Sequence, residues 1–89
     1  MSEKLFKIHI STPEKTIYEG EISSLIAPGE LGYLGVLVDH APLIANLVPG
    51  KIIIRDEAVQ PTIFNCKSTG ILEVLKNNVN VLVDEAERA

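Results

Sequence analysis

Apolar and polar residues alternate along much of the chain. The alternation is clear over residues 6–10 and again over residues 79–83. A period of two predicts β-strands with one buried face. Residues 51–55, KIIIR, are rich in β-branched side chains, which strands favour. We expect Ile53, at the centre of that segment, to belong to the core.

Short strands separated by turn signals extend over the whole sequence. The predicted strands cover residues 6–11, 15–18, 21–27, 34–38, 43–47, 51–55, 61–66, 71–75 and 79–83. Pro49-Gly50 is a turn signal, and Lys76-Asn77-Asn78 predicts a hairpin turn because Asn tolerates a positive φ. Many short strands of this kind predict an all-β sandwich or closed barrel. Residues 85–89 have helical propensity and predict the first turn of a helix.

The most glycine-rich segment covers residues 28–35 and contains Gly29, Gly32 and Gly35. Glycine permits tight bends and close approach of another backbone, and loops on a rigid scaffold often carry function. Tyr33 adds an aromatic side chain of the kind that anchors interfaces. We interpret the segment as a candidate binding loop; the alternative is a plain hairpin that requires a positive φ.

Composition narrows the class of protein. The 89 residues predict one domain covering 1–89, and with 46% hydrophobic but 4% aromatic residues its core must be aliphatic. A net charge of −4 argues against the basic surface that nucleic-acid binding requires. The single cysteine, Cys66, excludes an internal disulfide, and we expect it to be a small buried side chain.

The sequence lacks the motifs of the common catalytic sites. It contains no P-loop, no GxGxxG and no GxSxG turn around a serine. With two histidines and one cysteine we predict no metal site, and we interpret His40 as a hydrogen-bonding turn residue. Catalytic residues and cofactors are not expected. The sequence has neither a signal-peptide core nor an apolar run of the roughly 20 residues that span a membrane, so any membrane role is expected to come through a partner.

Several motifs in order resemble one family, the ε subunit of F-type ATP synthases. The matching segments are Thr12-Pro13-Glu14, Tyr18-Glu19-Gly20, Ala27-Pro28-Gly29, Leu34-Gly35-Val36-Leu37, His40-Ala41-Pro42-Leu43, Pro49-Gly50, Gly70-Ile71-Leu72-Glu73-Val74 and VNVLVDEAER over residues 79–88. Each segment alone is weak, but their combination and order cover nearly the whole chain.

This resemblance implies a flattened β-sandwich of two five-stranded sheets without an active site. Such a domain docks on the γ subunit of the central stalk, touches the c-ring with its loops, and couples proton-driven rotation to ATP synthesis. The expected location is the cytoplasmic face of a bacterial plasma membrane, or the stromal side of a thylakoid for an organelle-encoded member. The family usually continues in a helical hairpin that restrains ATP hydrolysis; this sequence stops at Ala89, where the hairpin would begin, and is expected to lack that inhibition.

The resemblance also implies site residues. The c-ring-contacting loop corresponds to Gly29, Glu30, Leu31, Gly32 and Tyr33, and the γ-subunit interface to Thr12, His40, Ala45 and Ser68. The family has a glutamate where this chain has Tyr33, and we expect Glu30 to supply that charge instead. Substitution of Gly32 by Trp or of Tyr33 by Asp is expected to weaken coupling and leave the fold intact.

Two other classes of protein remain as alternatives. A lipoyl- or biotinyl-type carrier domain is also a small flattened β-sandwich, with a modified lysine at a hairpin tip where this chain has Lys76, but the flanking pattern is missing. A small hydrolytic or isomerising enzyme would require convergent titratable groups, and the sequence shows no such cluster.

Overall fold

The computed structural model describes residues 5–89, which form ten strands. In chain order the strands are β1 (Phe6–Ser11), β2 (Thr16–Ile22), β3 (Ser24–Gly29), β4 (Gly32–Leu37), β5 (Leu43–Leu47), β6 (Gly50–Arg55), β7 (Thr62–Cys66), β8 (Gly70–Leu75), β9 (Asn78–Val83) and β10 (Ala86–Arg88). Over this part of the chain, no helix has the length and apolar character needed to cross a membrane.

The strands divide into two groups of five. One layer has the order β5-β8-β9-β1-β2, and the other has the order β4-β3-β6-β7-β10. The layers are joined where Gly29 of β3 pairs with Leu47 of β5. β1 and β9 are parallel, and the other strand pairs are antiparallel. This arrangement confirms the predicted all-β fold, and the hydrogen-bonded path between the layers is continuous.

The core lies between the two layers and is mainly aliphatic, as the composition predicted, with both phenylalanines included. Its buried members are Phe6, Ile8, Ile10, Ile22, Leu25, Ala27, Val36, Leu47, Ile52, Ile54, Phe64, Cys66, Leu72, Val74, Val79, Val81 and Val83. No polar or charged residue is buried among residues 5–89. At roughly 25 cal/mol per Å² of apolar area removed from water, this burial is the main favourable term in folding.

The expectation for Ile53 was wrong. Ile52 and Ile54 are buried and point into the core, whereas Ile53 is partly exposed. Ile53 pairs with Ile26 on one side and Ile63 on the other, so it belongs to an aliphatic strip on the outer face. An all-apolar strand such as KIIIR does not reveal by itself which side chains point inward.

An aromatic contact links the two layers at the β2 edge. The rings of Tyr18 on β2 and Phe64 on β7 meet edge to face, with centroids 5.8 Å apart and an interplanar angle of 68°. Such pairs contribute about 0.5–1.5 kcal/mol beyond the area they bury. Burial raises the pKa of the Tyr18 hydroxyl, and the negative charge of Asp56 raises this pKa further.

The boundary between β2 and β3 differs from the prediction. β2 continues through Gly20 to Ile22, and the break comes at Ser23. Ser23 breaks the pattern because its backbone N–H and its hydroxyl both donate to Arg55 O, at 2.7 and 3.1 Å. The side chain thereby fixes the corner where the chain passes from one layer to the other.

The C-terminal segment is a strand and not the predicted helical turn. Ala86, Glu87 and Arg88 pair with β7. Flanking bonds run from Lys67 N to Glu85 O at 2.9 Å and from Ala89 N to Ile63 O at 2.8 Å. A helix of five residues is unstable in water because nucleation is costly, whereas the open edge of β7 offers backbone partners for the whole segment.

The β8–β9 hairpin confirms the predicted turn at Lys76-Asn77. Both residues have positive φ, 51° and 63°, as a two-residue turn of type I′ requires. The Asn77 side chain accepts from Asp39 N at 2.7 Å and donates to Asp39 Oδ1 at 3.0 Å. Asp39 also has a positive φ, of 62°, so Asn77 stabilises a second strained turn in the β4–β5 connection.

We expect Asn77→Ala to destabilise the domain by about 1–2 kcal/mol, through two lost hydrogen bonds and an unfavourable positive φ. Asn77→Gly tolerates the positive φ and loses only the hydrogen bonds, so its effect is expected to be smaller. Thermal unfolding followed by circular dichroism measures both variants. Equal melting temperatures for wild type and Asn77→Ala would show that this link between the two turns contributes nothing.

Candidate functional site

A row of paired residues crosses the molecule where the two layers meet. Gly29 pairs with Leu47, Leu47 with Gly70, and Gly70 with Val83. The turns next to these four residues lie together at one end of the sandwich, which we call the Gly29 end. It contains residues 12–15, 30–31, 48–49, 67–69 and 84–85, together with the tip of the predicted binding loop.

That loop is a tight hairpin and not an extended loop. Gly29 pairs with Gly32, so Glu30 and Leu31 alone form the tip. Gly32 has a φ of 129°, which L side chains rarely adopt. Glu30 N donates to Asn46 O at 3.0 Å, and this bond fixes the hairpin against β5. The Leu31 side chain is fully exposed, at 101%.

Tyr33 is not at the tip. It lies on β4 opposite Pro28, and its hydroxyl accepts a hydrogen bond from Lys51 N at 3.1 Å. The side chain remains 59% exposed. Tyr33 satisfies a backbone donor and Gly32 has a φ that favours glycine, so a thermal melt of Tyr33→Asp and Gly32→Trp is the measurement that tests the expectation that both variants stay folded.

Of the four residues predicted at the γ interface, Thr12 and Ser68 lie at the Gly29 end. Thr12 Oγ1 accepts from Glu14 N and Lys15 N, each at 3.3 Å. Ser68 Oγ accepts from Asp84 N at 3.0 Å and from Glu85 N at 3.2 Å. Both side chains therefore order turns at the same end as the hairpin tip.

Ala45 and His40 lie elsewhere. Ala45 is half-buried on β5, and it alternates with the exposed Ile44 and Asn46, so its side chain faces inward. His40 is in the β4–β5 turn at the opposite end, where its Nδ1–H donates to Ala41 O at 2.7 Å. His40 N also bonds Leu37 O at 3.2 Å, as the interpretation of a hydrogen-bonding turn residue predicted. The four residues do not form one contiguous patch.

The outer face of the β5 layer exposes aliphatic side chains that sequence reasoning missed. The exposed fractions are 73% for Ile44, 45% for Ile71, 49% for Leu75 and 52% for Leu82. Ile71 pairs with Leu82, so these two lie side by side. The sequence signal that could have indicated this face is the run ILEVL over residues 71–75. It places apolar side chains on both faces of one strand. Exposed aliphatic patches of this kind mark interaction surfaces.

A groove runs along the Gly29 end of that face, with a volume of about 550 Å³. Its lining includes the apolar residues Leu47, Ile71 and Leu82 and the polar residues Thr12, Glu30 and Asp84. Among residues 5–89, no Lys or Arg lines it. Glu30 is therefore one of the residues that line the groove.

Groups suited to catalysis are dispersed over the described residues. Within residues 5–89, no three His, Cys, Asp or Glu side chains come close enough together to hold a metal ion. Cys66 is buried, as predicted, and its Sγ–H donates to Ser68 O at 3.1 Å. Lys67 and Glu87 form an exposed ion pair that raises the pKa of the lysine. Lys76 lies at a hairpin tip, where a carrier domain would present its lysine.

Known proteins match this chain over nearly all of its length. A model of the family described as ATP synthase, Delta/Epsilon chain, beta-sandwich domain, matches residues 5–89. An ATP synthase epsilon chain from Pelotomaculum thermopropionicum is 42% identical over 89 residues, covering 100% of this chain and 65% of the relative. An ATP synthase epsilon chain from Xanthomonas campestris is 45% identical over 80 residues, covering 90% of this chain and 56% of the relative. The chain thus spans about three fifths of the length of these relatives.

Two solved structures share the fold. A chain in the mitochondrial ATP synthase of Euglena gracilis superposes with a TM-score of 0.87 at 19% identity, covering 94% of this chain and 53% of that one. A chain in the central stalk and c-ring structure of the Tetrahymena thermophila mitochondrial ATP synthase gives 0.76 at 19% identity, covering 97% and 68%. The family match does not favour the carrier alternative.

Proposed function

Because the chain belongs to the ATP synthase Delta/Epsilon chain β-sandwich family, we propose that it is a non-catalytic rotor component of an F-type ATP synthase. In this role it docks on the γ subunit and on the c-ring, and it couples proton-driven rotation to ATP synthesis. The observation that carries the proposal is the family match over residues 5–89. The relatives that this chain resembles are named epsilon chains.

The fold suits a part that transmits force between partners. Its core is aliphatic and has no buried polar residue within residues 5–89. A standard stable interface buries roughly 1,200–2,000 Å² in total, and the proposal assigns that area to the exposed sheet face and the hairpin tip. What the domain contributes is interface free energy and not transition-state stabilisation.

The c-ring contact is assigned to the Gly29–Tyr33 hairpin and, within it, to the tip residues Glu30 and Leu31. Leu31 is fully exposed, and the tip is held against β5 by the bond from Glu30 N to Asn46 O. The γ contact is assigned to Thr12 and Ser68, which lie on the same end as the tip, whereas the other two predicted contacts, His40 and Ala45, lie outside that patch. As part of this complex the chain is located at the cytoplasmic face of a bacterial plasma membrane and reaches the membrane through its partners.

We expect Leu31→Asp to lower proton-driven ATP synthesis by about two- to fivefold. The reason is the loss of about 0.5–1 kcal/mol of contact free energy between the hairpin tip and the ring. Because Leu31 contributes nothing to the core, the melting temperature is expected to stay unchanged. The assay is ATP synthesis in membrane vesicles whose ε subunit has been replaced by this chain.

Val59→Asp is the matched control, because Val59 is 90% exposed in the β6–β7 connection at the opposite end. It introduces the same charge on a similarly exposed side chain, and we expect normal synthesis. Equal synthesis rates for wild type, Leu31→Asp and Val59→Asp would count against the hairpin tip as the ring contact.

A further inference from the structure

The strands at the open edges of the two layers differ in charge. Within residues 5–89, β2, β4 and β10 each pair with one neighbouring strand, so the opposite edge of each is open. An open edge is a template for another strand, and charged side chains are a common protection against such pairing. β2 carries Glu19 and Glu21, and β10 carries Glu87 and Arg88. β4, with the sequence GYLGVL, contains neither a charged residue nor a proline, so its edge lacks this protection.

The pairing of β4 with β3 shows which backbone groups point out of the open edge. Tyr33 lies opposite Pro28, which has no N–H to donate. The carbonyl of Pro28 accepts from Val48 N at 2.9 Å, on the side of β3 away from β4. Tyr33 and Pro28 therefore form a non-hydrogen-bonded pair, and such pairs alternate with bonded ones between antiparallel strands. Along β4, Tyr33, Gly35 and Leu37 thus turn their backbone N–H and C=O groups toward the open edge.

The side chains of these residues leave the edge accessible. The Tyr33 hydroxyl accepts from Lys51 N of β6 at 3.1 Å, so the Tyr33 ring extends over β3 and away from the open edge. Gly35 is exposed, and a Cβ there would meet no atom of residues 5–89 within 4 Å. Leu37 is 62% exposed. A second strand can therefore reach the open edge of β4 around Gly35.

We propose that the open edge of β4 binds the same edge of a second copy of this chain, in an antiparallel pair with Gly35 opposite Gly35 on the two-fold axis. In this register Tyr33 of each copy pairs with Leu37 of the other, so the residues that point out of the edge find backbone partners. Leu34 lies opposite Val36, and both face the inner side of β4. The inward and outward alternation of the two copies therefore matches.

Charge and symmetry favour a second copy as the occupant of this edge. Self-pairing of β2 about Gly20 would set Glu19 against Glu21, and like charges directly opposite each other are destabilising. Self-pairing of β4 sets no charge against another. A two-fold contact uses the same edge of both copies and closes after two of them, so the product is a dimer and not a fibre.

The area of the contact sets the expected affinity. Two strands of six residues each bury less than the roughly 1,200 Å² of a standard stable interface. The dimer is therefore weak and forms from the free chain at high concentration. This surface and its occupant do not depend on the proposed rotor function.

The experiment is sedimentation equilibrium of the chain over a range of concentrations, together with amide chemical shifts of ¹⁵N-labelled samples. We expect the weight-average mass to rise from 9.7 kDa toward twice that value, with a dimer Kd of about 0.1–1 mM. The amide resonances of Tyr33, Gly35 and Leu37 should move with concentration. Those of Ile44 and Leu82, on the outer face of the β5 layer, should stay fixed.

Gly35→Lys and Gly35→Glu test the position of the two-fold axis. Each variant alone sets like charges against each other, and we expect the dimer to weaken about fivefold or more. An equimolar mixture of the two sets lysine against glutamate and is expected to restore association, which misfolded variants could not do. Val59→Lys introduces the same charge on a side chain that is 90% exposed in the β6–β7 connection, and we expect it to leave the dimer unchanged.

Three results would each overturn the proposal. They are a mass that stays at 9.7 kDa above the expected Kd, concentration-dependent shifts located away from β4, and equal association of the wild type and Gly35→Lys. A mixture of the two charged variants that associates no better than either alone would exclude this register. Since the samples contain no component of an ATP synthase, these outcomes leave the proposed rotor function standing.

Discussion

Ile54→Asp is expected to leave the domain largely unfolded at room temperature, whereas the neighbouring Ile53→Asp is expected to leave it folded. Ile54 is 1% exposed in the core, where an unpaired carboxylate costs about 3–5 kcal/mol. The lost isoleucine adds an apolar-transfer and cavity term of about 2–5 kcal/mol. The sum is comparable with the whole stability of a domain of this size, about 4–13 kcal/mol at 0.05–0.15 kcal/mol per residue.

The matched variant tests the assignment of faces within one strand. Ile53 is partly exposed on the outer face, so its carboxylate variant stays hydrated, and we expect a cost of about 1–2 kcal/mol. Circular dichroism melts and the dispersion of amide resonances distinguish the two variants. Similar melting temperatures for them would show that the inner and outer faces of β6 have been exchanged.

Gly70→Ala is the second substitution with a large expected effect. A Cβ at Gly70 would lie 2.5 Å from Leu82 O and 2.6 Å from Val83 Cγ1. The nearer of these atoms belongs to the backbone of β9, and Gly70 is paired with Leu47 on one side and Val83 on the other. Relief of the clash must therefore separate strands, and we expect a loss of about 2–3 kcal/mol.

Gly35→Ala provides the control for this prediction. A Cβ at Gly35 would meet no atom within 4 Å, and removing glycine from a strand usually stabilises it by about 0.4–1 kcal/mol. The melting temperature should therefore fall for Gly70→Ala and rise for Gly35→Ala. Each shift should be about 4–8 °C per kcal/mol for a domain of this size. A Gly70→Ala melting temperature at or above that of wild type would contradict the packing at the junction of the layers.

Much of the fold follows from local patterns in the sequence. Alternating apolar residues over 6–10 and 79–83 predicted inward-facing side chains, and Phe6, Val81 and Val83 are buried in this way. Lys76-Asn77 predicted its hairpin because few turns other than type I′ accept two positive φ values in succession. In these places the local preference and the tertiary structure agree.

The incorrect predictions share one cause. Contacts between residues far apart in the sequence determined the structure at these positions. Residues 85–89 are helical by propensity but form a strand, since β7 presents an unpaired edge. Ile53 was misassigned because KIIIR is apolar on both faces. The groove brings together Thr12, Glu30 and Asp84 from distant parts of the chain, so neither motif nor spacing could have indicated it.

The candidate site was predicted in part. The glycine-rich segment was identified from composition, and it does place an exposed tip at Glu30 and Leu31. Tyr33 lies on β4 and not in the tip, because β4 begins at Gly32. Ile44 and Leu82 are exposed aliphatic residues in predicted strands, and only the register of β5, β8 and β9 shows that they share an outer face.

The most direct test of the rotor assignment is binding of this chain to a catalytic head complex that contains γ and has been depleted of its own ε subunit. We predict a 1:1 complex with a Kd in the nanomolar range, measured by isothermal titration calorimetry and abolished when γ is omitted from the head complex. Binding that persists without γ, or no binding to the γ-containing complex, would contradict the account and leave a likeness of fold alone.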